Sequence, residues 1–191
     1  MNTRHALAET ALGQLTIVAR SGEDAAAAAD RVQVAADGQD RGDAITGLYF
    51  RHHIRRPAQQ SFGPEVELDR DPLLAEAAAQ LHQYLAGARR EFELPFDAAG
   101  DAFRHAVWSM VAEIPFGETT TYGAIAQRLG DTSLAYRVGQ AVGANPLCIF
   151  VPCHRVLGAG GKLTGYAGGL TCKQALLELE EPVQVAAARL F

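Results

Sequence analysis

The first fifty residues alternate apolar and polar positions, which is the pattern of strands that bury one face. Residues 5–10 and 14–20 alternate in this way on either side of Leu12-Gly13, so they predict a β-hairpin. Residues 44–50 supply a third strand of the same kind. The start of the chain therefore predicts a small antiparallel sheet.

Residues 23–43 interrupt that pattern between the second and third strands. This segment carries five consecutive alanines with six acidic and two basic side chains, and its apolar content is mostly alanine. A segment of this composition buries little surface, so it predicts an inserted, mobile surface loop. A short alanine-rich helix is the alternative.

Helical spacing of apolar residues begins after Asp71-Pro72, where Asp71 is the expected N-cap, and this helix should end at Gly87. Leu94-Pro95-Phe96 is typical of a linker, which divides the chain into domains at 1–95 and 96–191. The expected fold is α+β, an N-terminal sheet with one helix followed by a mainly helical domain. Helices of that second domain are predicted at 103–114, 122–129, 134–142 and 173–181.

The helices at 122–129 and 134–142 are joined by a short turn, so they predict a helix-turn-helix. One side of the second helix has almost no bulk, because it carries Ala135, Gly139 and Gly143. A glycine inside a helix costs about 1 kcal/mol relative to alanine, so Gly139 indicates close approach of something to this backbone. A second helix packed there is the alternative.

Only three side chains on that side could touch nucleic-acid bases, namely Tyr136, Arg137 and Gln140. So few polar groups cannot read a sequence through the major groove, and they favour a helix that reads the shape of the minor groove.

Composition narrows the class of protein. The content of 48% hydrophobic residues and the mean hydropathy of −0.03 are ordinary for a globular protein. No apolar run reaches the length of a membrane span. Residues 1–19 lack the pattern of a secretory signal. The odd number of cysteines argues against a framework of disulfides. A cytoplasmic protein is expected. The net charge of −5 comes from residues 1–100, since residues 101–191 are neutral overall.

The candidate chemistry lies at the end of an apolar run. Ile149–Val151 predicts a short buried strand that Pro152 terminates, which places Cys153 at the strand end. A thiol with an ordinary pKa of about 8.5 needs a neighbouring base or cation to ionise at neutral pH. Adjacent side chains of extended backbone face opposite ways, so His154 would reach Cys153 through a water molecule. The alternative is a structural cysteine beside a surface histidine.

The last helix carries an acid on its apolar face. Glu180 falls within the stripe of leucines at 176, 177 and 179, where a carboxylate requires a partner. His154 is the natural candidate, which gives a relay from Cys153 through water and His154 to Glu180. Cys148 would face away from Cys153 if the strand were extended.

Several motifs follow one another between residues 121 and 180. They are Thr121-Tyr122-Gly123, Tyr136-Arg137-Val138-Gly139, Asn145-Pro146, Pro152-Cys153-His154-Arg155-Val156, the run from Leu163 to Gly169 and the run from Lys173 to Glu180. In this order they resemble the O6-alkylguanine-DNA alkyltransferases, repair proteins that transfer an alkyl group from DNA to their own cysteine. Two features depart from the family pattern, Ala144 in place of a common basic residue and the insertion at 23–43.

The resemblance implies a ribonuclease H-like N-terminal fold and a catalytic site without cofactor or metal. Cys153 would attack the alkyl carbon directly, with His154 and Glu180 assisting. Asn145 would brace the cysteine turn, and Tyr166 would protonate or hydrogen-bond the departing base. The implied substrate pocket consists of Tyr122, Val151, Val156, Tyr166 and Ala167.

The resemblance also implies a monomer that binds double-stranded DNA in the minor groove with little sequence preference. The lesion would be rotated out of the duplex, Arg137 would take its place in the stack, and Tyr122 would crowd the adjoining phosphate. The implied DNA-binding residues are Tyr122, Ala135, Arg137, Gly139, Gln140 and Gly143.

Three other functions remain open at this point. The chain could be a DNA-binding regulator or lesion sensor with an idle thiol, or a cysteine hydrolase with turnover. A structural zinc site would use Cys148, Cys153, His154 and Cys172, but adjacent ligands span one metal poorly.

Overall fold

The three predicted strands form one antiparallel sheet in the computed structural model, which describes residues 3–22 and 42–181. Strand β1 (Thr3–Thr10) pairs with β2 (Gly13–Arg20), and β2 pairs with β3 (Ala44–Phe50). The predicted hairpin and third strand are confirmed. Apart from its last two residues, the predicted insertion at 23–43 lies outside the described residues.

Strand β2 is buried on both faces. Leu15, Ile17 and Ala19 are fully buried in the main core, while Val18 joins a smaller cluster on the opposite face with Tyr49 and Phe62. The sequence predicted one buried face. The second face is covered because the chain after β3 packs back across the sheet.

The helices lie close to their predicted positions. Helix α1 begins at Pro72, and the Asp71 carboxylate accepts a hydrogen bond from the Leu74 amide at 3.0 Å, so the predicted N-cap is confirmed. The helices and remaining strands are α1 (Pro72–Leu85), α2 (Ala102–Ala112), β4 (Thr120–Thr121), α3 (Tyr122–Arg128), α4 (Ala135–Val142), β5 (Val156–Leu157) and α5 (Leu170–Glu180).

Helices α3 and α4 form the predicted helix-turn-helix. The Thr121 hydroxyl accepts a hydrogen bond from the Ala124 amide at 3.1 Å and so caps α3. Asp131 caps a short 3-10 turn at 132–134 that leads into α4. The indole nitrogen of Trp108 donates to the Ala141 carbonyl at 2.8 Å, which fastens α4 to α2.

One continuous hydrophobic core spans both halves of the chain. The Leu48 amide in β3 donates to the Pro146 carbonyl at 2.8 Å, and Arg20 forms an ion pair with Asp97. The architecture is α+β, as predicted, whereas the domain boundary at residue 95 stays a prediction. None of the helices in the described part of the chain combines the length and hydropathy that a membrane crossing requires.

Candidate active site

The segment before the candidate nucleophile is a buried turn, so the predicted strand at Ile149–Val151 is wrong. The Val151 amide donates to the Leu147 carbonyl at 2.8 Å, and Ile149 has a φ of 70° in the left-handed region. That conformation costs a non-glycine residue about 1 to 2 kcal/mol. Apolarity of this segment reflects burial in the core, which does not distinguish a strand from a turn.

Asn145 holds both ends of this turn. Its side-chain oxygen accepts from the Leu147 amide at 3.0 Å, and its amide nitrogen donates to the Val151 carbonyl at 3.0 Å. Both bonds are buried, where each contributes about 1 kcal/mol and is costly to leave unmade. They offset the unfavourable φ of Ile149.

The turn brings two thiols together, so the expectation that Cys148 faces away from Cys153 is wrong. Their sulfur atoms lie 4.0 Å apart, and both side chains are buried. Because the backbone reverses between the two residues, both side chains point into the same space. The Cys148 sulfur also lies 3.7 Å from the Asn145 carbonyl oxygen.

Behind the thiol, a short 3-10 turn at Cys153–Arg155 directs His154 and Arg155 onto Glu180 of α5. The Nε2 atom of His154 lies 2.8 Å from Oε1 of Glu180, so the predicted pairing of the two side chains is present. Arg155 donates to both carboxylate oxygens, at 2.8 and 2.9 Å. His154 is fully buried, which contradicts the alternative of a surface histidine.

Two further groups bind Glu180 and were not expected from the sequence. The Tyr84 hydroxyl, from α1 of the N-terminal half, donates to Oε1, and it lies 3.3 Å from Nε2 of His154. The Gly117 amide donates to Oε2 at 3.1 Å. Gly117 has a φ of 80°, and a Cβ atom there would lie 2.9 Å from the Glu180 carbonyl oxygen, so only glycine fits.

These contacts fix the charges of the His154 and Glu180 pair. Burial opposes ionisation of Glu180, but the hydrogen bonds from His154 and Arg155 outweigh it and lower its pKa to about 2. Burial lowers the pKa of His154 below its usual value, although the Glu180 bond acts in the opposite direction. At neutral pH the pair is thus a carboxylate and a neutral imidazole.

The hydrogen bond to Glu180 leaves the other ring nitrogen of His154 as the proton acceptor. A neutral imidazole that donates from Nε2 carries its lone pair on Nδ1. Among the described residues no group bonds to this buried Nδ1 atom. Histidine is therefore arranged to receive a proton on the side away from Glu180.

Lys173 is a further buried charge beside Glu180 and Arg155, and its role in the site was not predicted from the sequence. Its ammonium group donates to the carbonyl oxygens of Val156 at 2.7 Å and Thr164 at 2.8 Å, and burial lowers its pKa to about 8. It joins the cysteine segment to the segment that carries Tyr166. Its spacing from Leu176 and Glu180 places all three residues on one face of α5, and this spacing could have predicted that Lys173 is buried.

The other predicted pocket residues surround this centre as buried side chains, and they are Val151, Val156, Tyr166 and Ala167. The Tyr166 ring lies 6.4 Å from the His154 ring between centroids, nearly perpendicular to it. Within the described chain its buried hydroxyl has no hydrogen-bond partner. Burial raises the pKa of Tyr166 well above its ordinary value, so the hydroxyl keeps its proton and is a potential donor.

Helix α4 presents the predicted contact face to solvent. Gly143 and Tyr136 are exposed, while Ala135 and Gly139 are half-buried. A Cβ atom on Gly139 would meet only the Tyr122 ring, at the ordinary distance of 3.8 Å. The ring belongs to the first residue of α3, and the contact is loose enough that packing within the described residues does not require glycine at 139.

Two polar residues of this face already have partners. The Arg137 guanidinium lies over the Phe103 ring, 3.9 Å from its centroid. Gln140 accepts a hydrogen bond from Arg55 at 2.9 Å and donates to the Tyr136 hydroxyl at 2.9 Å. The loop around Arg55 therefore contacts α4.

The zinc alternative requires its cysteines and histidine to converge on one point. In residues 3–22 and 42–181 no group of three or more His, Cys, Asp or Glu side chains is placed to hold a metal ion. The geometry does not favour this alternative.

Fold and site together define a class of protein in which a helix-turn-helix adjoins a buried thiol. Residues 102–182 match the family model of the 6-O-methylguanine DNA methyltransferase DNA-binding domain, and residues 34–98 match that of the ribonuclease-like domain of the same proteins. The chain belongs to the 6-O-methylguanine DNA methyltransferase family.

Curated relatives and solved structures agree with this family. The methylated-DNA--protein-cysteine methyltransferase of Mycobacterium tuberculosis is 42% identical over 78% of this chain and 88% of its own length. The inducible methyltransferase of Bacillus subtilis is 43% identical over 72% of this chain and 80% of its own length. The crystal structure of Mycobacterium tuberculosis OGT in complex with DNA superposes with a TM-score of 0.71 at 35% identity, covering 95% of this chain and 97% of that one.

Proposed function

We propose that this protein repairs DNA by transferring an alkyl group from O6-alkylguanine, and less readily from O4-alkylthymine, to the sulfur of its own Cys153. The observation that carries the proposal is that His154, the residue after Cys153, is buried and paired with Glu180. The relatives named above are methyltransferases whose acceptor is a protein cysteine, which supports the same reaction here.

The reaction begins with removal of the thiol proton. Cys153 gives its proton through a bridging water molecule to Nδ1 of His154, and the Glu180 carboxylate stabilises the imidazolium that forms. Arg155 and Tyr84 hold Glu180 in place during this step. The sulfur then attacks the alkyl carbon, and the bond between that carbon and the base oxygen breaks.

The electron pair of the broken bond goes to the departing base. Tyr166 donates a hydrogen bond or a proton to that base, which its protonated hydroxyl allows. Asn145 braces the turn that presents Cys153. The product is a thioether, which has no polarised carbonyl through which water could release the group. The protein therefore acts once per molecule and needs no cofactor.

Binding of double-stranded DNA places α4 in the minor groove with little sequence preference. Arg137 leaves the Phe103 ring and enters the base stack in place of the rotated nucleotide, and Tyr122 crowds the adjoining phosphate. The small surface of α4 at Ala135, Gly139 and Gly143 allows close approach of the DNA backbone. Gln140 adds a polar contact on the same face. The OGT crystal structure with DNA supports a DNA complex. We also propose that the protein acts as a monomer in the cytoplasm.

A mass measurement tests this function. The protein is incubated with O6-benzylguanine or with a methylated duplex, and its intact mass and peptide map are recorded. We expect one added group per molecule, on the peptide that contains Cys153, and none on a Cys153→Ser variant. An unchanged mass would favour a lesion sensor with an idle thiol, and sustained product release would favour a hydrolase.

A further inference from the structure

The proposed mechanism gives no role to the second thiol beside the nucleophile. The Cys148 sulfur lies 4.0 Å from the Cys153 sulfur and 3.7 Å from the Asn145 carbonyl oxygen, and it is fully buried. The turn itself is held by the side chain of Asn145, so a thiol at 148 is not needed to close it. Its two polar contacts define what it can do.

A thiol has one hydrogen, and the two contacts compete for it. While both residues are thiols, the distances allow the Cys153 S–H to donate to the Cys148 sulfur and the Cys148 S–H to donate to the Asn145 carbonyl. When Cys153 ionises, its sulfur becomes a charged acceptor at the same distance. Hydrogen bonds to charged groups are roughly twice as strong as neutral ones, so the charged sulfur attracts the hydrogen.

We propose that Cys148 is a positioning residue for alkyl transfer, whose S–H turns from the Asn145 carbonyl to the Cys153 sulfur when Cys153 loses its proton. The turn is a rotation about the bond between Cβ and Sγ of Cys148, and no heavy atom moves. This inference rests on the proposed function, because it assigns a second thiol to the same reaction centre. It makes Cys148 the donor that holds the thiolate ready for attack.

The electrostatics of the pair agree with this division of roles. The hydrogen bond from Cys148 is the largest influence on the pKa of Cys153 and lowers it, while burial acts in the opposite direction. The pKa of Cys148 is raised well above its usual range by the neighbouring Cys153 and by burial. Cys148 therefore keeps its proton when Cys153 loses its own.

Other charged and titratable groups face Cys153 from the packed elements around it. Lys173 on α5 lowers the pKa of Cys153 through its positive charge, and an Asn145 hydrogen bond acts in the same direction. Before the thiol ionises, Tyr166 is protonated and His154 is neutral beside ionised Glu180. All of these groups are unchanged in a variant of Cys148, so such a variant isolates the contribution of its S–H.

The proposal predicts a crossover in the dependence of rate on pH. Without the donor the thiolate is less populated below its pKa, but it is also more nucleophilic, with a Brønsted coefficient of about 0.4 to 0.5 for thiolates. If the pKa of Cys153 rises by about one unit, transfer slows about threefold to fourfold at low pH and accelerates about threefold at high pH. A purely structural loss would lower the rate at every pH.

The test compares Cys148→Ala, Cys148→Val and Cys148→Ser in a Cys172→Ser background under reducing conditions. Single-turnover benzyl transfer is measured across pH 5.5–10, and iodoacetamide labelling of the Cys153 peptide reports its pKa independently of alkyl transfer. Alanine and valine, which lack a donor, should both raise the pKa and produce the crossover. Serine, which keeps a donor, should leave the pKa near the parental value.

An unchanged Cys153 pKa in both the alanine and the valine variant would overturn the proposal, as would an equal loss of rate at every pH. Melting temperatures identify any variant that fails to fold, and the larger valine side chain replaces the volume that alanine removes. If the parent protein transfers no benzyl group, the proposed function fails. The labelling experiment would still measure the effect of Cys148 on Cys153.

Discussion

Replacing Glu180 with glutamine tests the central ion pairs of the site with little change in shape. The carboxylate accepts hydrogen bonds from His154, Arg155, Tyr84 and the Gly117 amide. Glutamine keeps one oxygen and replaces the other with an NH2 group, which donates hydrogen bonds. This NH2 group would face the donors that bind the carboxylate in the parent protein. The variant therefore leaves the buried Arg155 guanidinium without its charged partner.

The effect on stability follows from the pKa of the carboxylate. Its pKa falls from an ordinary value of 4.5 to about 2, which corresponds to at most about 3 kcal/mol of free energy of unfolding. Because the folded pKa is the lower one, this contribution is present above pH 4.5 and disappears as the pH falls towards 2. Glu180→Gln should therefore lose stability at pH 7, and its stability should depend less on pH in that acidic window.

The effect on transfer follows from the imidazolium. A carboxylate at 2.8 Å from the His154 ring raises the affinity of the ring for a proton, and such a neighbour typically shifts a pKa by about 1 to 3 units. If the proton reaches His154 before attack, glutamine should slow benzyl transfer by about 10- to 1000-fold. DNA binding should persist, since α4 is untouched.

Single-turnover mass spectrometry at neutral pH measures the rate, and urea unfolding between pH 2 and pH 7 measures the stability. Glu178→Gln is the matched control, because Glu178 is exposed on the same helix. A folded Glu180→Gln protein that reacts at the parental rate would refute the relay and leave Glu180 a structural role only.

Three further predictions concern DNA, the inserted segment and stoichiometry. Arg137→Ala should reduce repair of duplex DNA far more than reaction with free benzylguanine, and equal losses on both substrates would assign Arg137 to folding. Replacing residues 24–41 with a short Gly-Ser linker should leave activity and melting temperature nearly unchanged. This replacement keeps Asp43, which forms an ion pair with Arg4. A large fall in melting temperature would contradict the prediction that the segment packs little. With excess methylated DNA, repair should stop at about one guanine per protein. The alkylated protein should melt at a lower temperature, because the added group overpacks the buried site around Cys153 and lowers the free energy of unfolding by about 1 to 3 kcal/mol.

Local patterns were sufficient to predict most of the fold. The alternation in the first strands and the Asp71 cap are short-range signals, and both appear at the expected residues. The segment at Ile149–Val151 was misassigned because an apolar run indicates burial and does not specify backbone direction. Its turn depends on the two Asn145 hydrogen bonds, which cannot be read from hydropathy.

The site was predictable only where the local pattern around a residue showed that its side chain needed a partner. The pairing of His154 with Glu180 could be predicted because a carboxylate on a leucine face needs a partner. Tyr84 lies 96 residues from Glu180 and looked like an ordinary core residue of α1. The contact between Cys148 and Cys153 required the turn, so an error in the backbone became an error in the chemistry.

Through the hydrogen bond from Tyr84 to Glu180, both halves of the chain contribute residues to the proposed reaction centre. A carboxylate of α5 is held partly by a hydroxyl from α1, and Gln140 of α4 accepts a hydrogen bond from Arg55. Separating the halves would therefore alter the proposed proton acceptor as well as the proposed DNA-binding face. The rate of alkyl transfer should thus also depend on how closely the N-terminal half packs against the C-terminal half. Substitutions around Tyr84, far from the proposed DNA contact, would then act on the chemistry of the site.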